Sequence, residues 1–403
     1  SSQRILFLAN AITLAHPTRM WKIACDMESR GYDVHFATSP TYKKYLLPEN
    51  PRITCHTITS VLVQDFNDRL FQTKFVFTNE ELATELHEDC ELVAAIRPDY
   101  IIADMRPTAL IPAKRHSIPL YNLTQYHWSS HFDRRNILPP VKNVLTFGRP
   151  LSSLFEPFVS PLILRSMVKT ANRFFQTNPV ARTANLHEFT SLSNFYQAGD
   201  YALFADLPDL YPDATLEPHH HFIGPIIWHN SQTPWPEHWP HTFGEKPVAY
   251  VTMGSTGLYS AVPKVLDGLR SLGYKILLSS FGGDCGHLDL RDTWTAPFVP
   301  GEEALKRANL IVCNGGTGTT YHALSHGIPI VAVTQNMDQC LHATQLTKQS
   351  VGRMIYADQL SPETLTDAIE HLQNSPQTRH NLDRMKTAIA DFDQTSTLAR
   401  LLS

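Results

Sequence analysis

The sequence predicts an α/β protein with a doubly wound parallel sheet in each of two halves. Three stretches carry this prediction. Residues 310–345 read LIVCNGGTGTTYHALSHGIPIVAVTQNMDQCLHATQ. An apolar run (310–313), a glycine-rich turn (314–320), a helical run stopped by Gly327 and a second apolar run (328–333) form a βαβ unit. Residues 4–9, 18–30 and 34–38 repeat strand, helix and strand at the start of the chain. Residues 247–252, 261–272 and 275–280 repeat it at the start of the second half. In such sheets ligands bind beyond the carboxyl ends of the strands.

Composition narrows the function. The 403 residues are 42% hydrophobic and 18% charged, as in ordinary globular proteins, with room for two or three cores. A net charge of −4 argues against a nucleic-acid partner, which calls for a basic face. The six cysteines (Cys25, Cys55, Cys90, Cys285, Cys313 and Cys340) include no Cys-x-x-Cys pair, and several lie in apolar segments as small hydrophobes. A reducing cytoplasm is expected, with no signal peptide visible, because the first apolar run is short. Residues 151–168 are apolar but contain Pro157, Pro161, Glu156 and Arg165, so no membrane span is expected there.

Taken in order, the first strand ends near Ala9 and a loop carries His16. A helix follows with Met20, Ile23, Ala24 and Met27 at helical spacing, and Gly31 ends it. Residues 98–104 read as a buried strand ending in Asp104, on the same rim as His16. His16 reads either as a site residue or as a loop histidine that caps the helix or faces solvent. Asp104 reads either as its carboxylate partner, which would fix the imidazole tautomer, or as the cap of the next helix. After the strand at 118–123, Tyr126, His127 and Trp128 reach the rim and are candidates for an acceptor pocket. Residues 138–175, rich in Pro, Phe, Leu and Ser, form either a surface helix pair or an apolar face. Residues 211–247 shift in composition and read as a linker. His219, His220 and His221 there read as a polar loop, because consecutive histidines do not share one side of an element.

Several of these stretches resemble the UDP-glycosyltransferase-like family of GT-B glycosyltransferases, in the manner of its bacterial natural-product and macrolide-type members. They are Gly315-Gly316-Thr317-Gly318-Thr319, His326-Gly327-Ile328-Pro329, Asp338-Gln339, the segment SRGYDVHFAT at 29–38, and Phe222-Ile223-Gly224-Pro225. The resemblance implies a GT-B fold: two Rossmann-like domains facing a central cleft, with a C-terminal helix returning to the first. The implied divisions are an acceptor-binding domain at 1–215, a linker at 216–246, a nucleotide-sugar domain at 247–390 and the returning helix at 391–403. His16 matches the family's catalytic base and Asp104 its carboxylate partner. Gly254 and Ser255 match a phosphate turn, and Phe298 and Val299 the step that holds the base. Asn314, Gly315, Gly316, Thr317, Gly318 and Thr319 match the diphosphate turn, whose N–H groups and helix dipole suit an anion. His322 falls at the ribose position, and Asp338 and Gln339 match the pair that bonds the donor sugar. Two residues depart from the pattern: Asn314 stands where most members have His, and His322 where most have Glu or Gln.

The resemblance implies an inverting hexosyltransferase that moves a sugar from a UDP or TDP sugar to a hydroxyl of a small, largely apolar acceptor such as a natural product. The nucleotide sugar is a co-substrate. No cofactor and no metal ligand are expected. A monomer or dimer is expected, with membrane contact only for a lipid acceptor. The alternatives are a lipid-linked glycosyltransferase, a nucleotide-sugar 2-epimerase and a non-catalytic nucleotide-sugar binder.

Overall fold

The computed structural model describes residues 2–45, 50–228, 233–254 and 259–403. It contains two sheets, both wholly parallel. The first is built from β1 (Arg4–Ala9), β2 (Asp33–Thr38), β3 (Thr54–Thr57), β4 (Tyr100–Asp104), β5 (Leu120–Thr124), β6 (Tyr201–Phe204) and β7 (His220–Phe222), in the order β3-β2-β1-β4-β5-β6-β7. The second is built from β8 (Val248–Thr252), β9 (Lys275–Ser279), β10 (Thr293–Ala296), β11 (Leu310–Cys313), β12 (Ile330–Thr334) and β13 (Gly352–Tyr356), in the order β10-β9-β8-β11-β12-β13. Central strands are apolar, β11 throughout and β1 beyond Arg4, because helices cover both faces.

Strand order locates the functional rims. It reverses between β1 and β4 in the first sheet and between β8 and β11 in the second. At such reversals the adjacent loops part in opposite directions and leave a crevice at the carboxyl ends. Ala9 is in register with Asp104, and Thr252 with Cys313. The loop bearing His16 and the end of β4 therefore flank one crevice, and the turns at Gly254 and Asn314 flank the other.

Three stretches sharpen or correct the sequence expectation. Residues 220–222, expected in a polar loop within the linker, pair with β6 as the edge strand β7, and His220 is buried. The alternating exposure of an edge strand accommodates the two consecutive histidines His220 and His221. Residues 149–177 form one helix, Arg149–Thr177, that runs through both Pro157 and Pro161. At 391–403, where the returning helix is expected, the chain forms Gln394–Leu401, set off from Pro376–Asp391 by Asp393, which caps it by accepting from Ser396 N at 3.0 Å.

That last helix lies on the first sheet's side of the molecule. Leu398 and Leu402 are buried in the same core cluster as Ile5, Phe7 and Trp21, and Tyr121 Oη donates to Leu401 O at 2.7 Å. The chain reaches it past Gly224, which has φ +83° and a Cβ direction that points into the Phe392 ring. Gly224→Ala therefore combines left-handed strain with a clash, and should cost about 1–3 kcal/mol in chemical denaturation. Adding Phe392→Leu should recover the part due to the clash but not the part due to φ.

Candidate active site between the two sheets

His16 sits in the first turn of the helix Ala15–Ser29, one residue past its start. Its Nδ1 lies 2.9 Å from Asp104 Oδ1. An ionised carboxylate only accepts, so Nδ1 is the donor of this bond. Asp104 is fully buried and has a second partner. Arg19, one turn further along the same helix, donates from Nε to Oδ2 at 2.5 Å and from Nη2 to Oδ1 at 2.7 Å. Burial pushes the Asp104 carboxyl up, but the Arg19 and His16 charges and hydrogen bonds outweigh it and bring the pKa down to about 2.

Across the cleft, β11 delivers Asn314, Gly315 and Gly316 to the start of the helix Thr317–Ser325, which Gly316 caps. Gly315 takes φ +83° in a space bounded by Ala332 and Thr334, which admits no side chain without adjustment. Asn314 Oδ1 accepts from Gly316 N at 3.1 Å, and its amide lies against Gly254, which has φ +66°. Among the described residues nothing lies within 4 Å of a Cβ at Gly318, in the first turn of that helix.

One cleft of about 320 Å³ receives both sets of residues. Its lining includes His16, Asp104 and Trp128 from the first half. From the second half it includes Gly254, Phe298, Val299, Asn314, Gly316, Thr317, Gly318, Thr319, His322, Asp338 and Gln339. Gly315 lies behind the turn and is not in the lining. Ser255 lies outside the described residues.

Tyr126 and His127 do not reach the cleft as acceptor-pocket walls. Tyr126 turns into an aromatic core with Phe204, Tyr211 and Phe222, and its hydroxyl meets the Thr215 backbone. Those rings offer more apolar contact than the rim does. His127 is fully buried, and its Nε2 donates to Asp338 Oδ1 at 2.7 Å. Trp128 Nε1 donates to the same oxygen at 2.8 Å. Gln339 is buried as well, with Oε1 accepting from Gln335 N at 2.9 Å.

The ribose-position residue His322 is bonded to Glu302. His322 Nε2 and His326 Nε2 lie 2.9 and 3.0 Å from the same Glu302 Oε2. Burial opposes ionisation of Glu302, but these two histidines prevail and lower its pKa to about 2. The three side chains are chemically able to hold a divalent cation.

With this geometry in place, comparison with known proteins is direct. Residues 283–397 match the family model of the glycosyltransferase family 28 C-terminal domain. A PGL/p-HBAD biosynthesis glycosyltransferase of Mycobacterium tuberculosis is 30% identical over 395 residues, spanning 97% of this chain and 90% of that protein. The chain belongs to the UDP-glycosyltransferase-like family of GT-B glycosyltransferases. A PGL/p-HBAD biosynthesis rhamnosyltransferase of Mycobacterium bovis is 28% identical over 394 residues, 96% of this chain and 84% of that one. The structure of spinosyn rhamnosyltransferase SpnG complexed with thymidine diphosphate shares the fold, with a TM-score of 0.68 at 17% identity over 99% of each chain.

Sequence reasoning missed several residues of this glycosyltransferase's cleft. Arg19 is one; its signal was a cation three residues after His16 on an otherwise apolar helix face. Gln125 is another, just past a strand end, and the buried Asp206 lies behind it. Gln125 is oriented by its partners: its nitrogen donates to Asp206 Oδ2 at 2.8 Å, and its oxygen accepts from Thr317 Oγ1 at 3.0 Å and Arg19 Nη1 at 2.9 Å. This amide links the His16 wall to the turn wall.

The lowered Asp104 pKa has a defined consequence for stability. The group's contribution is complete above its unfolded pKa of about 4 and is lost as pH falls towards 2. The difference in unfolding free energy between the wild type and Asp104→Asn should therefore be flat above pH about 5 and narrow by about 2 kcal/mol by pH about 2. Urea titrations across that range measure it.

Proposed function

We propose that this glycosyltransferase moves a sugar from a nucleoside diphosphate sugar, UDP or TDP, to a hydroxyl of a largely apolar acceptor, inverting the anomeric centre and using no metal. The observation that carries the reading is the pairing, across one cleft, of a carboxylate-held imidazole with an open helix N-terminus. His16 Nε2 takes the acceptor's proton. The acceptor oxygen forms its bond to the anomeric carbon on the face opposite the diphosphate. The bond to the diphosphate breaks, and the diphosphate leaves with the electron pair. Asp104 orients the imidazole and stabilises the imidazolium that forms.

Negative charge grows on the departing diphosphate. The N–H groups at Gly316–Thr319, the dipole of the Thr317–Ser325 helix and the Asn314 amide meet it. Fixed donors of this kind supply what a cation would otherwise provide. Phe298 and Val299 offer an apolar wall for the base. His322 offers the ribose a ring braced by Glu302, in place of the family's direct carboxylate or amide. Asp338 and Gln339 are the proposed contacts of the donor sugar. Both hydrogen-bond within the protein in this state, and Asp338 keeps Oδ2 for a ligand. A relative named as a rhamnosyltransferase and a neighbour solved with thymidine diphosphate favour TDP.

A second reading, a lipid-linked acceptor, is favoured by one further observation. A cavity of about 1700 Å³ shares Leu70, Trp128, Tyr196 and Met337 with the cleft and continues beneath the Arg149–Thr177 helix. That volume exceeds what a compact aglycone needs.

His16→Ala should lower transfer by about 10²–10⁴-fold while leaving nucleotide affinity intact. Single-turnover rates together with calorimetry separate the two effects, and wild-type rates in the variant would end the assignment. In melting experiments UDP or TDP sugars should raise the transition and GDP sugars should not, because ligands stabilise only the state that they bind. An equal response to all three would remove the base-recognition argument.

A further inference from the structure

The Arg149–Thr177 helix is exposed where an ordinary surface helix is polar. Its C-terminal half is anchored, with Val168, Ala171, Phe174 and Phe175 buried in a cluster with Phe189 and Phe195. Its first residue is also tied, through Arg149, to Asp358 at 2.9 Å and to the face of the Tyr356 ring. Between these anchors Leu154, Phe158 and Leu162 are 67%, 71% and 62% exposed, and Phe147 in the preceding turn is 63% exposed. Monomeric surfaces seldom leave so many large apolar side chains together without a partner.

The pattern along the helix is directional. Residues 151, 155, 158, 162, 165, 169 and 173 follow one stripe at spacings of three and four. The first four are Leu, Phe, Phe and Leu, and the last three are Arg165, Lys169 and Arg173, all exposed. Those three cations make no ion pair among the described residues. Residues 142–177 hold five basic side chains (Lys142, Arg149, Arg165, Lys169, Arg173) against one acid (Glu156), in a chain whose net charge is −4. Exposed apolar side chains followed by cations on one stripe supply the two attractions that hold a helix at a lipid interface, burial of apolar area and charge towards anionic head groups. It is too polar to span one: among the described residues, no helix is long and apolar enough to cross a membrane.

We propose that this face seats the protein on an anionic lipid surface, with the 1700 Å³ cavity beneath the helix opening towards that surface. Leu151, Phe155 and Val159 belong both to the exposed set and to the cavity wall. The apolar part of an acceptor thus has a continuous path from the lipid to Trp128, where the cavity joins the catalytic cleft. The inference rests on the lipid-acceptor reading for its purpose. Lipid binding itself is measured without any transfer, so the two fail separately.

The test is flotation of the full chain with vesicles of phosphatidylcholine alone and of phosphatidylcholine mixed with phosphatidylglycerol. The wild type should float with the mixed vesicles, and less so as salt is raised. Combining Leu154→Ser, Phe158→Ser and Leu162→Ser should weaken flotation by about tenfold or more. Combining Arg165→Gln, Lys169→Gln and Arg173→Gln should remove the preference for the anionic lipid. Both variants should keep the wild-type melting temperature and the wild-type shift with nucleotide sugar. Absence of wild-type flotation, or equal flotation of the Ser variant, overturns the proposal. So does a wild-type dimer in sedimentation that the Ser variant converts to monomer, because the face would then be covered by a second copy.

Discussion

The Asp104 carboxylate has no contact with solvent, and the first wall of the cleft is arranged around that fact. Withdrawing a carboxylate from water costs several kcal/mol unless charge and hydrogen bonds replace the lost hydration. Arg19 supplies most of the replacement by engaging both oxygens, and His16 shares Oδ1 with it. The three side chains meet because β4 ends at Asp104 in register with the end of β1, and because His16 and Arg19 lie one helical turn apart. The charge that orients His16 is thereby partly neutralised by Arg19. Asp104 acts more as a fixed acceptor for Nδ1–H than as an isolated negative charge beside the ring.

The same carboxylate shows where sequence reasoning reached. Strand-end residues at a reversal of strand order are exposed to one crevice whatever the loops do, so His16, Asp104, Gly254 and the 314–319 turn were legible from apolar runs and glycines. The two doubly wound sheets followed from the same repeats, and the GT-B architecture from the family resemblance. Arg19 was not legible as a partner, because a cation on a helix normally belongs to its solvated edge, and only the depth of Asp104 makes it otherwise. Tyr126 and His127 were placed at the rim correctly along the chain but on the wrong side of a short turn. Which way a 3₁₀ turn faces is decided by packing against residues far along the chain, such as Phe204 and Asp206. His220 failed similarly: an edge strand and a polar loop share the same composition.

The contacts across the cleft are of two kinds, and burial separates them. Asp206 is fully buried and takes Tyr321 Oη at 2.6 Å, the Tyr126 N–H at 2.7 Å and the Gln125 amide. Opening that junction would strand several donors and an acceptor without water, each at about 1–3 kcal/mol. Asp338 is different: its side chain is 47% exposed, and its bonds to His127 and Trp128 share one oxygen. Oδ2 can therefore meet a hydroxyl group arriving in the cleft without any exchange, whereas displacing the fully buried His127 from Oδ1 would strand its Nε2 at about 1–3 kcal/mol. The junction at Tyr321 holds the imidazole wall to the turn wall, and the acceptor that Asp338 offers costs the protein none of its own bonds.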